Sequence, residues 1–134
     1  MTGPRRIMVA AMSYPTDFRA PWIDDNGFLR FQIGLKRPSL AVVSGIFRDA
    51  AELSAGKLLP LIIDGRAMRM APPAKAWTYA IYRLNSIASA VAFLFSDMTP
   101  QEVFKYQKGI GAMIPSRVFE EEYEAVAWLR SFAD

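Results

Sequence analysis

The sequence has 134 residues, 52% of them hydrophobic, and a formal net charge of +3, a composition that suits one folded domain and not a disordered chain. It contains no cysteine and no histidine, so disulfides, thiolate metal sites, cysteine nucleophiles and histidine bases are excluded. No apolar run reaches the ~20 residues of a membrane span. No more than two basic residues are adjacent, unlike a nucleic-acid-binding patch. We therefore expect a cytoplasmic protein with no transmembrane segment and no nucleic-acid partner.

The amino-terminal part of the chain predicts two strands and a hairpin. Residues 1–21 are expected to hold a strand at 7–13 and then an irregular segment with prolines, and residues 22–134 to form the main domain. Apolar runs at 22–23 and 28–33 flank a polar loop that ends in Asn-Gly, a pattern typical of a β-hairpin. The second run alternates apolar and polar residues, which predicts one buried face and one wetter face.

A helix–strand unit follows the hairpin. Ser39 is suited to cap a helix with an apolar stripe, and Gly56 is placed to end it. Residues 58–64 are apolar on both alternations, as expected of a strand covered on both faces. This central strand ends at Asp64 and leads into a basic loop.

Two more strands and two more helices complete the predicted domain. A helix is expected over 74–86, an all-apolar strand over 90–95, and a second helix after the capping box that begins at Thr99. A strand at 117–119 then precedes an acidic helix over 120–132. The apolar stripe of the first of these helices comprises Trp77, Ala80, Ile81, Leu84 and Ala88. The buried face of the last comprises Ala125, Trp128, Leu129 and Phe132.

Strands separated by helices predict parallel pairing with right-handed crossovers. Within residues 22–132, three stretches (24–30, 56–66, and 115–119 leading into 124–129) carry a resemblance to the SpoIIAA-like fold group. This group includes STAS domains and small bacterial proteins of STAS/Sec14-like type. The resemblance implies an α/β domain with a four- or five-stranded mixed sheet, about four helices, no cofactor, and a regulatory or interaction role.

The loop after the central strand departs from that group. STAS regulators of the anti-anti-sigma type carry a phosphorylatable serine or threonine there. Residues 65–75 of this sequence contain neither. A phosphorylation switch is therefore not expected at this position.

The first candidate site is the crevice at the carboxyl end of the central strand, where open α/β sheets tend to bind ligands. Arg66, Arg69 and Lys75 fall near it, and residues 57–95 hold five bases against one acid. One interpretation is an anionic ligand or an acidic partner. The other is that Arg66 pairs with Asp64 and the remaining bases are solvated.

The second candidate site is the polar face of the 74–86 helix. Tyr79 and Tyr82 lie away from its apolar stripe, beside Lys75 and Arg83, and such residues are common in protein interfaces. Met68 and Met70 would extend this surface. A neighbouring loop that covers the tyrosines is the alternative. The acids at 120–124 point in different directions on a helix, so they are expected to stabilise the helix dipole and not to bind a metal.

We expect a non-enzymatic, STAS-like interaction domain that binds a protein partner or itself as a homodimer. The proposed contacts are the loop after Asp64 and the helix face with Tyr79 and Tyr82. The alternative is a binder of a small amphipathic or anionic ligand, such as a Sec14-like lipid or a phosphate-bearing molecule. A third hypothesis is an enzyme that uses Asp64 with Arg66 or a tyrosine, and it depends on whether Asp64 lies in an open pocket or in an ion pair.

Overall fold

The computed structural model describes residues 18–34, 38–67, 74–95 and 114–133. The strands in these ranges are β1 (Trp22–Ile23), β2 (Leu29–Gln32), β3 (Leu59–Asp64), β4 (Ala88–Leu94) and β5 (Ser116–Phe119). The helices are α1 (Leu40–Ser54), α2 (Ala74–Ile87) and α3 (Glu122–Ala133). The predicted strand at 7–13 and the predicted helix after Thr99 lie outside the described residues, as do Arg69, Met68 and Met70. Three of the roughly four predicted helices are therefore seen in the described part.

The strands form one mixed sheet in the order β1-β2-β3-β4-β5. Only β1 runs antiparallel to its neighbour, while β2, β3, β4 and β5 are mutually parallel. The expected α/β class with a four- or five-stranded mixed sheet is confirmed, and the described part of the sheet has five strands. The order of β2, β3 and β4 follows from α1 and α2, because right-handed crossovers whose helices lie on the same face advance the sheet in one direction.

The predicted hairpin of β1 and β2 is also confirmed, and Asp24 organises its turn. One carboxylate oxygen of Asp24 accepts hydrogen bonds from the backbone nitrogens of Asn26 (2.8 Å) and Phe28 (3.0 Å). Gly27 has a φ of +80°, a backbone conformation that glycine adopts without a steric penalty. The Asn-Gly pair therefore closes the turn as the sequence predicts.

The two faces of the sheet carry separate hydrophobic cores. Helices α1 and α2 pack on each other over one face, where Leu61, Ile63 and Phe93 are buried. Helix α3 covers the other face, above Ile62 and Leu94. Because β3 and β4 lie between both layers, side chains on both of their alternations are buried, as the apolar sequence predicts. Each large side chain buried in this way contributes about 2 kcal/mol.

Helix α1 begins at the predicted cap, but its left-handed end starts at Ala55, one residue before the predicted Gly56. The Ser39 hydroxyl accepts a hydrogen bond from the Val42 nitrogen at 3.2 Å, so Ser39 is the predicted cap. At the other end, Ala55 already adopts the left-handed conformation with a φ of +52°, and Gly56 follows at +82°. The predicted stop at Gly56 is therefore shared with Ala55. A non-glycine residue in this conformation is strained.

Two predictions on the α2–β4 unit were wrong. Ala88 begins strand β4 and does not belong to the stripe of α2, so the strand starts two residues earlier than predicted. It does so because Ala88 pairs with Leu59, and the pairing then skips Ser89 to join Ala90 to Pro60. This bulge lies beside the proline, and β2 begins to pair with β3 only at the next residue, so Pro60 lies outside the β2–β3 ladder.

The buried face of α3 is smaller than predicted. Ala125 and Leu129 are fully buried and Trp128 is half-buried, but 46% of Phe132 is exposed. The ring of Phe132 lies against Trp128, with the ring centroids 4.8 Å apart. The last turn of the helix therefore contacts the helix's own tryptophan. No helix within the described ranges is both long and apolar enough to cross a membrane.

Candidate functional site

A shallow groove opens between the first turn of α1 and the outer side of α2. Residues of both helices line it, and we call it the basic groove: Leu40, Lys75, Thr78, Tyr79, Tyr82 and Arg83. Helical periodicity places Lys75, Tyr79 and Tyr82 on one side of α2, away from the residues that face the sheet. The groove therefore brings together four of the six residues predicted from the sequence.

Tyr79 forms the fixed floor of the basic groove. Its ring packs edge to face against Phe47 of α1, with the ring centroids 6.0 Å apart. Tyr79 is therefore half-buried, whereas the sequence predicts an exposed side chain. Arg83 lies one helical turn later and donates a hydrogen bond from Nη1 to the Tyr79 hydroxyl at 2.9 Å. The Arg83 guanidinium carbon is also 5.6 Å from the Tyr79 ring centroid. The pair is thus held in place by α1 before any partner binds.

Tyr82 and Leu40 form the exposed apolar part of the basic groove. Tyr82 is 71% exposed and Leu40 is 42% exposed. A tyrosine has only two side-chain torsions, so it offers a large contact area at a small cost in conformational entropy. The exposed side chain of Lys75 lies near them at the start of α2. The neighbouring-loop alternative does not hold for Tyr82 in the described part of the chain.

The electrostatic character of the groove follows from its lining. Lys75 and Arg83 are both positively charged, and no acidic residue is among the lining residues that the structure describes. A groove with apolar and aromatic surface and two cations suits a ligand that is negatively charged and partly apolar.

Arg66 lies elsewhere, on the opposite face of the sheet. It is part of an ion-pair chain that runs from the hairpin to the start of α3: Asp24, Arg30, Glu122, Arg66 and Asp64. The Arg66 guanidinium binds Asp64 at 2.8 Å and reaches Glu122 at 3.5 Å. Arg66, of the first candidate site, therefore lies apart from the tyrosine face of the second. Its pairing with Asp64, the alternative interpretation, is confirmed.

Asp64 is held in this ion pair with Arg66. Burial acts to raise the pKa of its carboxyl, but the hydrogen bonds from Arg66 and the charges of Arg66 and Arg30 outweigh it. The pKa of Asp64 consequently lies below its ordinary value. A carboxylate with a lowered pKa and a bound guanidinium is a poor general base. The hypothesis of an enzyme built on Asp64 and Arg66 loses its support.

Arg30 anchors the other end of the ion-pair chain. It binds Asp24 at 2.7 Å and Glu122 at 3.3 Å, and only 11% of its side chain is exposed. Burial acts to lower the pKa of Arg30, but the hydrogen bonds and charges of Asp24 and Glu122 raise it above its ordinary value. The hairpin turn, strand β2 and helix α3 are thereby joined through one guanidinium. The sequence did not predict this chain, because the contact between Arg30 and Glu122 joins residues 92 positions apart.

A small apolar cavity lies under the basic groove, between α1, α2 and the carboxyl ends of three parallel strands. Its volume is about 50 Å³. Residues from the strands that line it include Phe31, Ile63 and Phe93, and residues from the helices include Val43 and Ala80. The position is the one at which open α/β sheets tend to bind ligands. It is also about a third of the ~150 Å³ cavity that holds benzene in an engineered protein.

Gly65 marks the close approach of two strands beside this cavity. Its nitrogen donates a hydrogen bond to the Leu94 carbonyl at 2.8 Å. A Cβ atom at this position would overlap the buried ring of Phe95. The glycine that follows Asp64 is therefore required by packing. Among the described residues, no group of three or more acidic side chains is arranged to hold a metal ion.

This architecture is the SpoIIAA-like α/β fold. A crystal structure of an uncharacterised protein from the DUF3478 family with a SpoIIAA-like fold, from Shewanella loihica PV-4, matches with a TM-score of 0.64 and 16% sequence identity. The match covers 82% of this chain and 92% of that chain. At that identity the likeness establishes the fold. The expected resemblance is confirmed.

The sequence itself assigns the chain to a family. The chain belongs to the family described as a domain of unknown function (DUF7793), whose profile matches residues 22–133. A search of the curated proteins gave no match.

Proposed function

We propose that the protein is a non-enzymatic interaction domain whose basic groove binds an acidic segment of a protein partner. The observation that carries this proposal is the composition of the groove. Two cations, an exposed tyrosine and an exposed leucine share it, and the described part of its lining contains no acid. A short segment with carboxylates and one apolar or aromatic side chain complements these features.

The physical basis is the separation of roles within the groove. Tyr79 and Arg83 are fixed by their contacts with Phe47 and each other, so their order is already present before binding. Tyr82 is 71% exposed and supplies apolar area that is removed from water when the segment docks. Lys75 steers an acidic segment toward the groove and is expected to act mostly on the association rate. A modest affinity of about 10 µM to 1 mM suits so small a surface.

The direct test uses a fluorescent peptide with a central tyrosine flanked by two glutamates on each side. We expect its fluorescence anisotropy to rise on titration with the protein, and the affinity to fall with salt. Lys75→Glu and Tyr82→Ser should each weaken binding about tenfold. Both residues are exposed, so these changes should leave the fold intact.

Two matched variants serve as controls. Lys57 is an exposed lysine and Leu58 is 54% exposed, and neither lines the basic groove. Lys57→Glu and Leu58→Ser should therefore leave the affinity unchanged. If all four variants bind the peptide equally, or if a peptide with lysines in place of the glutamates binds as well, the groove is not the acidic-segment site.

The second candidate is a binder of a small amphipathic ligand, and the apolar cavity at the carboxyl ends of the strands favours it. The cavity of about 50 Å³ suits a small aliphatic group, because it has no polar lining. Native mass spectrometry of the purified protein tests this candidate, together with thermal shifts in the presence of short-chain fatty acids and inorganic phosphate. A co-purified apolar ligand or a fatty-acid shift supports it. The absence of both excludes it.

A further inference from the structure

The two most exposed large apolar side chains of the described residues are tyrosines in opposite electrostatic surroundings. Tyr82 is 71% exposed and lies in the basic groove near Lys75, while Tyr123 is 72% exposed at the start of α3. Tyr123 is surrounded in sequence by four exposed acids: Glu120, Glu121, Glu122 and Glu124. We call residues 120–124 the acidic corner.

We propose that the basic groove of one copy of the protein binds the acidic corner of a second copy. This inference rests on the proposed function and identifies the acidic segment as residues 120–124 of this same chain. The two surfaces cannot meet within one molecule, because α2 and α3 lie on opposite faces of the sheet. Any pairing between them must therefore join two chains.

The chemistry of the acidic corner matches that of the groove. Glu122 is bound to Arg30 and Arg66, so the backbone of the corner is held in position by the ion-pair chain. Its exposed neighbours Glu121 and Glu124 supply negative charge, and Tyr123 supplies an aromatic ring. In the groove they would meet Lys75, Arg83 and the ring of Tyr82. Each part of one surface thus has a counterpart of opposite charge or similar polarity on the other.

The proposed contact joins two different surfaces, the basic groove and the acidic corner, and this limits its symmetry. A groove that meets a corner is a heterologous contact, which leaves one unused groove and one unused corner unless the copies close into a ring. We therefore expect association that increases with protein concentration and decreases with salt. A dimer that pairs groove with groove would instead leave both acidic corners unused.

The test uses two complementary variants. The groove variant carries Lys75→Gln and Tyr82→Ser, and the corner variant carries Tyr123→Ser and Glu124→Gln. All four residues are exposed, so both variants should keep the circular-dichroism spectrum and melting temperature of the parent protein. Mass is measured by light scattering across protein concentrations of about 10 µM to 1 mM, the range of small transient contacts.

We expect the parent protein to associate and each variant alone to associate at least tenfold more weakly. A one-to-one mixture should form dimers that grow no further, because the groove of the corner variant meets the corner of the groove variant. A corner variant that associates as well as the parent overturns the inference, and so does a parent protein that stays monomeric throughout. If the monomeric parent still binds the glutamate peptide through Lys75 and Tyr82, the proposed function stands without this inference. If the parent protein binds neither a second copy nor the glutamate peptide, the proposed function and this inference both fail.

Discussion

The guanidinium of Arg66 holds the carboxylate of Asp64 through two parallel contacts, Nε to Oδ1 at 3.0 Å and Nη2 to Oδ2 at 2.8 Å. The backbone nitrogen of Arg66 also donates to Oδ1 at 3.1 Å. The acid at the end of the central strand is therefore used to fix the start of the following loop. This geometry moves the search for function from Asp64 to the other face of the sheet, where the basic groove lies.

The Asp64–Arg66 pair predicts a pH-dependent contribution to stability. The pKa of Asp64 is lowered in the folded protein, so its stabilising effect is present above the ordinary carboxyl pKa of about 4 and is lost as pH falls through the folded value. Asp64→Asn should reduce the free energy of unfolding at pH 7 by about 1 kcal/mol, a value that allows for the solvent screening of the 41%-exposed Arg66 side chain.

Urea unfolding of both proteins between pH 7 and pH 2 measures this effect. The difference between the parent and Asp64→Asn should shrink toward zero at the acidic end. Asp25→Asn, at an exposed turn position, is the control and should change stability by less than about 0.5 kcal/mol. A difference for Asp64→Asn that stays constant across this range contradicts the ion-pair assignment.

Arg30 should matter more to stability than a surface arginine does. Arg30→Gln leaves Asp24, whose side chain is only 11% exposed, without its cation, and we expect a loss of about 2 kcal/mol. Arg48 offers the matched comparison, because it also pairs with an aspartate but its side chain is 56% exposed. Arg48→Gln should cost less than about 0.5 kcal/mol. Equal losses in denaturant unfolding would show that the ion-pair chain does not join the hairpin to α3.

Gly65→Ala tests the close packing beside the central strand. The added Cβ overlaps the ring of Phe95, which is 3% exposed and stacks on Phe93, so the ring cannot move aside cheaply. We expect a loss of about 1 to 3 kcal/mol in thermal unfolding. An alanine that is neutral here would mean that the core has room for the ring to move.

The apolar cavity predicts a stabilising substitution. Val43 lines it, and Val43→Ile adds one carbon that should fill part of the space and raise the unfolding free energy by up to about 0.8 kcal/mol. Val42, next along the same helix, does not line the cavity, so Val42→Ile should change stability by less than about 0.3 kcal/mol. A clear loss of stability with Val43→Ile contradicts the cavity.

The elements that local chemistry determines were predictable from the sequence. The Ser39 cap, the Asn26-Gly27 hairpin turn and the doubly covered β3 all follow from residues close together in the chain. The start of β4 was not predictable, because Ala88 fits a helical stripe equally well and is assigned to the sheet by its pairing with Leu59.

The candidate site likewise combines features that the local sequence predicts with features that contacts between distant residues determine. The helix face with Lys75, Tyr79 and Tyr82 was visible in the period of α2. The half-burial of Tyr79 depends on Phe47 of another helix. The contact of Arg66 with helix α3 likewise depends on Glu122, 56 residues later in the chain. Contacts between distant residues therefore decided which predicted site residues belong together.

A charge exchange between the basic groove and its ligand is the sharpest test of acidic-segment binding. The double variant Lys75→Glu, Arg83→Glu is titrated with the glutamate peptide and with a peptide in which lysines replace the glutamates, and fluorescence anisotropy is measured. If the basic groove binds an acidic segment, the affinity of the variant for the glutamate peptide should fall at least tenfold and its affinity for the lysine peptide should rise. The Lys57→Glu control should keep the parent protein's affinity for both peptides. An unchanged preference for the glutamate peptide in the folded double variant would contradict the account.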